Sequence, residues 1–337
     1  MRFRSIAVTL LSLCAAGSLG AQTPISPSCP GGAANSQAQV TQDACQQAID
    51  LFNYMRPQLG IAIAGGNATL GQAGALGGLP HFTLGVRGNV LQGSVPTVQQ
   101  PATNGAQRRT AYPTKDTFLG LPAVDASIGL FKGLPFGVTN IGGVDLLLSA
   151  SYVPKINTSN VNVEPDTPLQ IGYGARVGLI QESLLVPGIG VTYLKRGLPK
   201  TTITGVATGA VITSPDSVQV KDLDLQTTAW RIVASKSLVL FTIAAGVGQD
   251  TYDASTTINA VVHALPPAGR QAMTPVVIKE NMTRTNYFAD VAMNLLLLKI
   301  VGEVGMVSGG SAPTYNTFDK SADASRMYGS VGIRLGF

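Results

Sequence analysis

The sequence predicts an all-β fold, an antiparallel transmembrane β-barrel of about ten strands preceded by a short helix and a glycine-rich, plug-like segment. Three observations carry this. The first residues have the layout of an export signal. No later stretch is apolar for long enough to span a bilayer as a helix. From residue 81 onward, apolar residues alternate with polar or small ones in short segments to the end of the chain.

Arg2 and Arg4 precede an apolar run at 6–16, followed by the small residues Ser18, Gly20 and Ala21. A run that short suits a cleaved signal ending near Ala21 rather than a membrane anchor, which needs roughly 20 residues. Residues 1–21 are therefore expected to leave, and the rest to be exported. Charged residues make up only 12% of the chain, 39 of 337 residues are glycine, and mean hydropathy is +0.25. Soluble domains usually carry about twice that charge, so if the chain is integral to a membrane, strands must cross it. The formal charge of +5 is spread along the sequence rather than gathered into basic runs, and gives no support to nucleic-acid binding.

After the signal, residues 22–80 form an N-terminal segment assigned to the periplasm or to a plug. Cys29 and Cys45 are an even pair in an oxidising compartment and read as one disulfide. Their spacing fits no zinc pattern, and no metal or other cofactor is expected. A helix is predicted over 41–56, capped by Thr41, with Ala44, Cys45, Ala48, Ile49, Phe52 and Met55 on one face and Pro57 as its stop. The glycine-rich stretch 60–78 follows. It lacks the lysine and the strand-to-helix turn of a phosphate loop, and fits a plug in a barrel mouth with Phe52, Leu59 and Ile61 as its apolar contacts.

The barrel is assigned to 81–337, with strands near 81–93, 121–132, 143–155, 168–181, 184–197, 223–235, 238–251, 283–296, 298–309 and 325–337. Residues 199–222 or 256–280 could hide another hairpin, which gives a twelve-strand alternative, or extend the neighbouring strands above the membrane. In the clearest strand, Leu169, Ile171, Tyr173, Ala175, Val177 and Leu179 oppose Gln170, Gly172, Gly174, Arg176 and Gly178. Connections alternate long and short. With the short ones facing the periplasm, as in outer-membrane barrels, the last strand ends on that side and the N-terminal segment begins there.

With apolar faces outward, Arg87, Asp125, Asp145, Arg176, Arg231, Asp250, Arg284, Asp290, Lys299, Glu303 and Arg334 point into the lumen. Facing charges of both signs in a narrow barrel are expected to pair and fill it. A solute-selecting constriction needs a wider, wet lumen. Tyr152, Tyr173, Tyr193, Trp230 and Tyr287 lie on the outer faces, where amphipathic rings anchor at the membrane interface.

The chain ends with Val331, Ile333, Leu335 and Phe337 at alternate positions. This resembles the C-terminal insertion signal of bacterial outer-membrane β-barrel proteins. The resemblance implies recognition by the barrel-assembly machinery, pairing of the last strand with the first, and an outer-membrane location in contact with lipid. The order of helix, glycine-rich segment and barrel is also similar in layout to the long-chain fatty-acid transporter family, although no hatch motif of that family is present and no ligand residue can be carried over.

Two functions compete on this evidence. One is passage or capture of a small hydrophobic ligand across the outer membrane, gated at the periplasmic mouth. The other is a structural or surface-interaction barrel acting through the loops 94–120, 198–222 and 252–282. Catalysis has little material, since the chain holds only His81 and His263. A rim hydrolase would rest on His263 with Asp250 and Asp253; no catalytic residue is assigned, and no enzyme is expected.

Overall fold

Period-two alternation places one face of each segment in lipid and the other in the lumen, and the only way to leave no backbone edge in the bilayer is to close the sheet. The computed structural model, which describes residues 23–29, 31, 36–69, 71–97, 109–207, 215–263 and 269–337, has this closed form. The ring runs β1 (Phe82–Pro96), β2 (Thr114–Phe131), β3 (Gly143–Tyr152), β4 (Leu169–Ile180) and β5 (Gly188–Gly197). It continues through β6 (Asp216–Leu238), β7 (Phe241–His263), β8 (Val276–Leu295), β9 (Leu298–Ser308) and β10 (Arg326–Gly336). Each strand pairs antiparallel with the next. β10 then pairs with β1, from Thr83 opposite Gly336 to Leu91 opposite Tyr328.

Ten strands close the ring, so the twelve-strand alternative does not hold. The region 199–222 instead contributes Thr201–Ala207, which pairs with β6 outside the ring and carries Val161–Pro165 on its other edge. The region 256–280 lengthens β7 and β8 beyond the rim. The long connections are thus 97–113, 153–168, 198–215, 264–275 and 309–325. The short ones are 132–142, 181–187, 239–240 and 296–297.

At the seam, the Phe82 N–H donates to the Phe337 carbonyl at 3.0 Å, the Phe337 N–H returns the bond at 2.9 Å, and the two rings stack with centroids 5.0 Å apart. Val331, Ile333, Leu335 and Phe337 all stand on the outer face. Tyr152, Tyr173, Tyr193, Trp230 and Tyr287 are exposed there too.

One helix, α1 (Gln37–Ala64), precedes the barrel. It differs from the predicted 41–56 at both ends. Ser36, not Thr41, is its N-cap, the Ser36 hydroxyl accepting from the Gln39 N–H at 3.2 Å. Pro57 lies within the helix rather than ending it. A proline inside a helix costs about 3 kcal/mol in isolation, but Pro57 and most of α1 are buried, and enclosure outweighs that local preference. The Cys29–Cys45 disulfide is formed, with Cα atoms 5.7 Å apart. The predicted signal at 1–21 lies outside the described residues.

Lipid-facing and lumen-facing positions alternate, so Val304, outward near the middle of β9, should not tolerate charge. Val304→Arg is expected to cost about 2–4 kcal/mol in urea unfolding of the membrane-inserted chain.

Candidate functional site

A ten-stranded barrel has a narrow lumen, and here the chain's own backbone occupies it. Helix α1 enters from the end where the long connections lie. Asp50, fully buried, accepts from the backbone N–H groups of Tyr315 and Asn316 at 3.0 and 2.8 Å, from Asn316 Nδ2 at 2.7 Å and from Gln46 Nε2 at 2.9 Å. Burial raises the Asp50 carboxyl pKa, and these four donors oppose the rise. Tyr54 stacks on Phe318 with centroids 4.3 Å apart, and Arg56 pairs with Glu280 at 3.2 Å. Nearby, burial pushes the Tyr112 hydroxyl pKa up to about 12.

Deeper in, the Gln58 side chain behaves like a short strand partner. Its Nε2 donates to the Ser94 carbonyl at 2.9 Å while its Oε1 accepts from the Ser94 N–H at 2.7 Å. Gly60 lies against the Tyr252 ring, where a Cβ would sit 2.6 Å from the nearest ring atom. Glycine at 60 allows the helix this close approach.

At its inner end the helix presents carbonyls with no intrahelical partner and about half a negative charge. It has no basic residue in its last turn. The barrel wall supplies the donors instead. Asn89 Nδ2 donates to the Ala62 carbonyl at 2.7 Å and, at 3.2 Å, to the Ile61 carbonyl, which also accepts from the Gly65 N–H. Arg231 donates to Ala64, Arg87 to Gly65 at 2.7 Å, and Arg196 to Gly66 at 2.9 Å.

The described residues between 65 and 78 continue as irregular chain, and from Asn67 on several of their N–H groups find acceptors on the wall. Glu303 Oε2 accepts from Asn67 at 3.0 Å, Asp290 Oδ2 from Gly71 at 3.2 Å, and the Ser235 hydroxyl from Ala73 at 3.0 Å. Asp145 accepts from Leu76 at 3.1 Å. Arg176 and Arg334 hold Gln72 through its carbonyl and side chain, at 3.1 and 2.9 Å. The segment leaves beside the short connections, where Gln181 donates to the Ala75 carbonyl and the Gly78 backbone packs against Lys132.

The predicted lumen residues thus have two kinds of partner. Arg87 pairs with Asp125 at 2.7 Å, Arg176 with Asp145 at 2.6 Å and Arg231 with Asp250 at 3.3 Å. Arg284 donates to the carbonyls of Asp323 and Ala324 at 2.8 and 2.9 Å. Asp290 faces Glu303 in register, and the half-buried Lys299 faces Arg334. The second oxygens of Asp290 and Glu303 have no donor.

Arg196, absent from the sequence prediction, lies 3.6 Å from Asp125 and completes the clamp on the helix end. Its inward direction follows from Tyr193 being outward, but it stands at the extreme end of β5.

Phe52, Leu59 and Ile61 all belong to α1 and pack against the wall; Phe52 and Ile61 are buried and Leu59 half-buried. They lie above the irregular segment, not at the short-turn mouth where they were expected. Ala73, Ala75 and Gly78 pack against the wall near that mouth. His263 stands at the far end of β7, its Nδ1 3.8 Å from Asp216, while Asp250 is a dozen residues down the same strand in its pair with Arg231.

This is a barrel of the outer-membrane type with its own chain through the lumen. No family model matches the sequence, and no curated protein matches it either. Among solved structures, the toluene transporter TodX of Pseudomonas putida is 8% identical, with a TM-score of 0.28 over 76% of this chain and 88% of that one. The transport unit of the autotransporter AIDA-I from Escherichia coli is 8% identical, with a TM-score of 0.27 over 88% of this chain and 99% of that one. Pseudomonas putida OprB gives 8% and 0.19 over 76% and 94%. At these identities and TM-scores the likenesses support no finer reading, and the layout resemblance to fatty-acid transporters gains nothing from them.

Two substitutions separate the charge environments. Asp145→Asn breaks a fully buried ion pair and is expected to lower stability by about 3–5 kcal/mol. Asp290→Asn keeps an acceptor for Gly71 and removes one of two facing carboxylates, so the urea midpoint should rise.

Proposed function

We propose that this chain is a self-plugged outer-membrane barrel whose working surface is the mouth formed by its long connections, rather than an open passage for solutes. The observation that carries this is the repeated hydrogen bonding of the described residues between Ile61 and Leu76 to the wall. Donors or acceptors for it come from β1, β3, β4, β5, β6, β8, β9 and β10. Two spaces beside it, of about 10 and 20 Å³, each have room for about one water.

Passage of a small hydrophobic solute would require this segment to leave, stranding buried arginines and carboxylates at several kcal/mol per ion. At the long-connection end, by contrast, β6 and β7 run on past the ring. With Thr201–Ala207 and Val161–Pro165 they build a raised sheet beyond it. In this reading, lipid contacts the apolar belt, the barrel-assembly machinery engages Val331, Ile333, Leu335 and Phe337, and no catalysis, cofactor or nucleic acid is involved.

Planar-bilayer recording tests the proposal. The intact chain should give no steady conductance, and deleting 37–78 should open one. Gly60→Leu, which drives a side chain into Tyr252, should raise leakage, and Tyr252→Ala in the same chain should reduce it again. Steady conductance through the intact chain would overturn the reading.

A further inference from the structure

The direction of the chain through the lumen is as informative as its presence. β1 starts at the short-turn end, where the Phe82 N–H bonds to the Phe337 carbonyl and the segment leading to it passes Lys132 and Gln181. Helix α1 therefore runs against β1, with its C-terminal end mid-lumen and its N-terminal end among the long connections. Its 28 residues extend about 42 Å at 1.5 Å per residue, more than the roughly 30 Å of a bilayer's hydrocarbon core.

The residues before the helix are fixed at that same end. Cys29 is bonded to Cys45, the Ser26 N–H donates to Gln46 Oε1 at 2.6 Å, and Arg109 of the first long connection donates to the Thr23 carbonyl at 3.2 Å. The segment thus lies at the long-connection end rather than at the short-turn end where the sequence placed it.

We infer that the barrel carries its own N-terminal segment across the outer membrane and displays it at the cell surface. The inference rests on the reading above in one respect, that the long connections face outward. Given that, residues 23–36 must have travelled the length of the lumen before the wall closed on the chain. The clamp explains why they stay. Arg87, Arg196 and Arg231 grip the carbonyls of Ala64, Gly65 and Gly66, while Glu303 and Asp290 grip the N–H groups just below. Sliding in either direction would unpair both sets at once. At the outer end, Asp50 ties the helix to Tyr315 and Asn316. The function implied is self-display: a peptide placed ahead of Pro24 is delivered outside and held by a sealed barrel.

The test uses two full-length chains, each with one short epitope. One epitope lies between Thr23 and Pro24, and the other between Ser159 and Asn160 in the second long connection. Antibody binding is read on intact and on permeabilised cells, with heat-modifiable migration showing that each chain has folded. Both epitopes should bind antibody on intact cells about as strongly as after permeabilisation. If only the loop epitope binds on intact cells, self-display is overturned while the surface reading stands. If the loop epitope needs permeabilisation, the outward sidedness falls, and self-display with it. The untagged chain gives a second measurement. Protease added to intact cells should cut the peptide preceding Ser36, read by mass spectrometry after reduction of the Cys29–Cys45 disulfide, and an uncut peptide in the accessible population would also overturn the inference.

Discussion

A backbone that leaves a helix inside a barrel has no water to turn to, and every N–H and C=O it exposes needs a partner from the wall. That constraint accounts for the lumen. Around 61–66 the unsatisfied groups are carbonyls, and the wall offers Asn89, Arg87, Arg196 and Arg231. Around 67–76 most are N–H groups, and the wall offers Glu303, Asp290, Ser235 and Asp145, with Arg176 and Gln181 taking the Gln72 and Ala75 carbonyls. The sign of the lumen follows the polarity of the backbone it holds. The ion pairs Arg87–Asp125, Arg176–Asp145 and Arg231–Asp250 then keep these charges from being buried alone.

The ring serves the same end. Closure between β1 and β10 leaves no free edge in the bilayer, and period-two alternation directs lumen residues of all ten strands toward one axis. The terminal aromatic has a place in this beyond any role in insertion. Phe337 stacks on Phe82 and exchanges two backbone hydrogen bonds with it, sealing the seam at the end where the plug leaves the lumen.

The ring was legible in the sequence because lipid on one side and polar groups on the other impose a strict alternation, as in Leu169–Ile180. The same alternation gave the direction of each lumen charge. It fades beyond the rim, where both faces meet water or other strands, and there the sequence does not decide between loops, a further hairpin and the strand extensions that β6, β7 and β8 make. Helix α1 was misjudged at both ends for a related reason. Ser36 and Gln37 look like linker and Pro57 like a stop when only local preference is weighed, but enclosure by the barrel decides the matter. The partners of the lumen charges were the least legible part. Asp290 and Glu303 bind main-chain N–H groups of Gly71 and Asn67, and a main-chain donor leaves no mark in sequence. Arg196 was lost because strand ends are the least certain part of any period-two reading.

The central claim, that α1 is locked inside the closed barrel, is most directly tested by amide hydrogen exchange of Ala44–Ala64 in the membrane-inserted chain. The account predicts protection comparable to that of β6 and β7, because the helix can open only when the wall does. Exchange as fast as that of the long connections would contradict it.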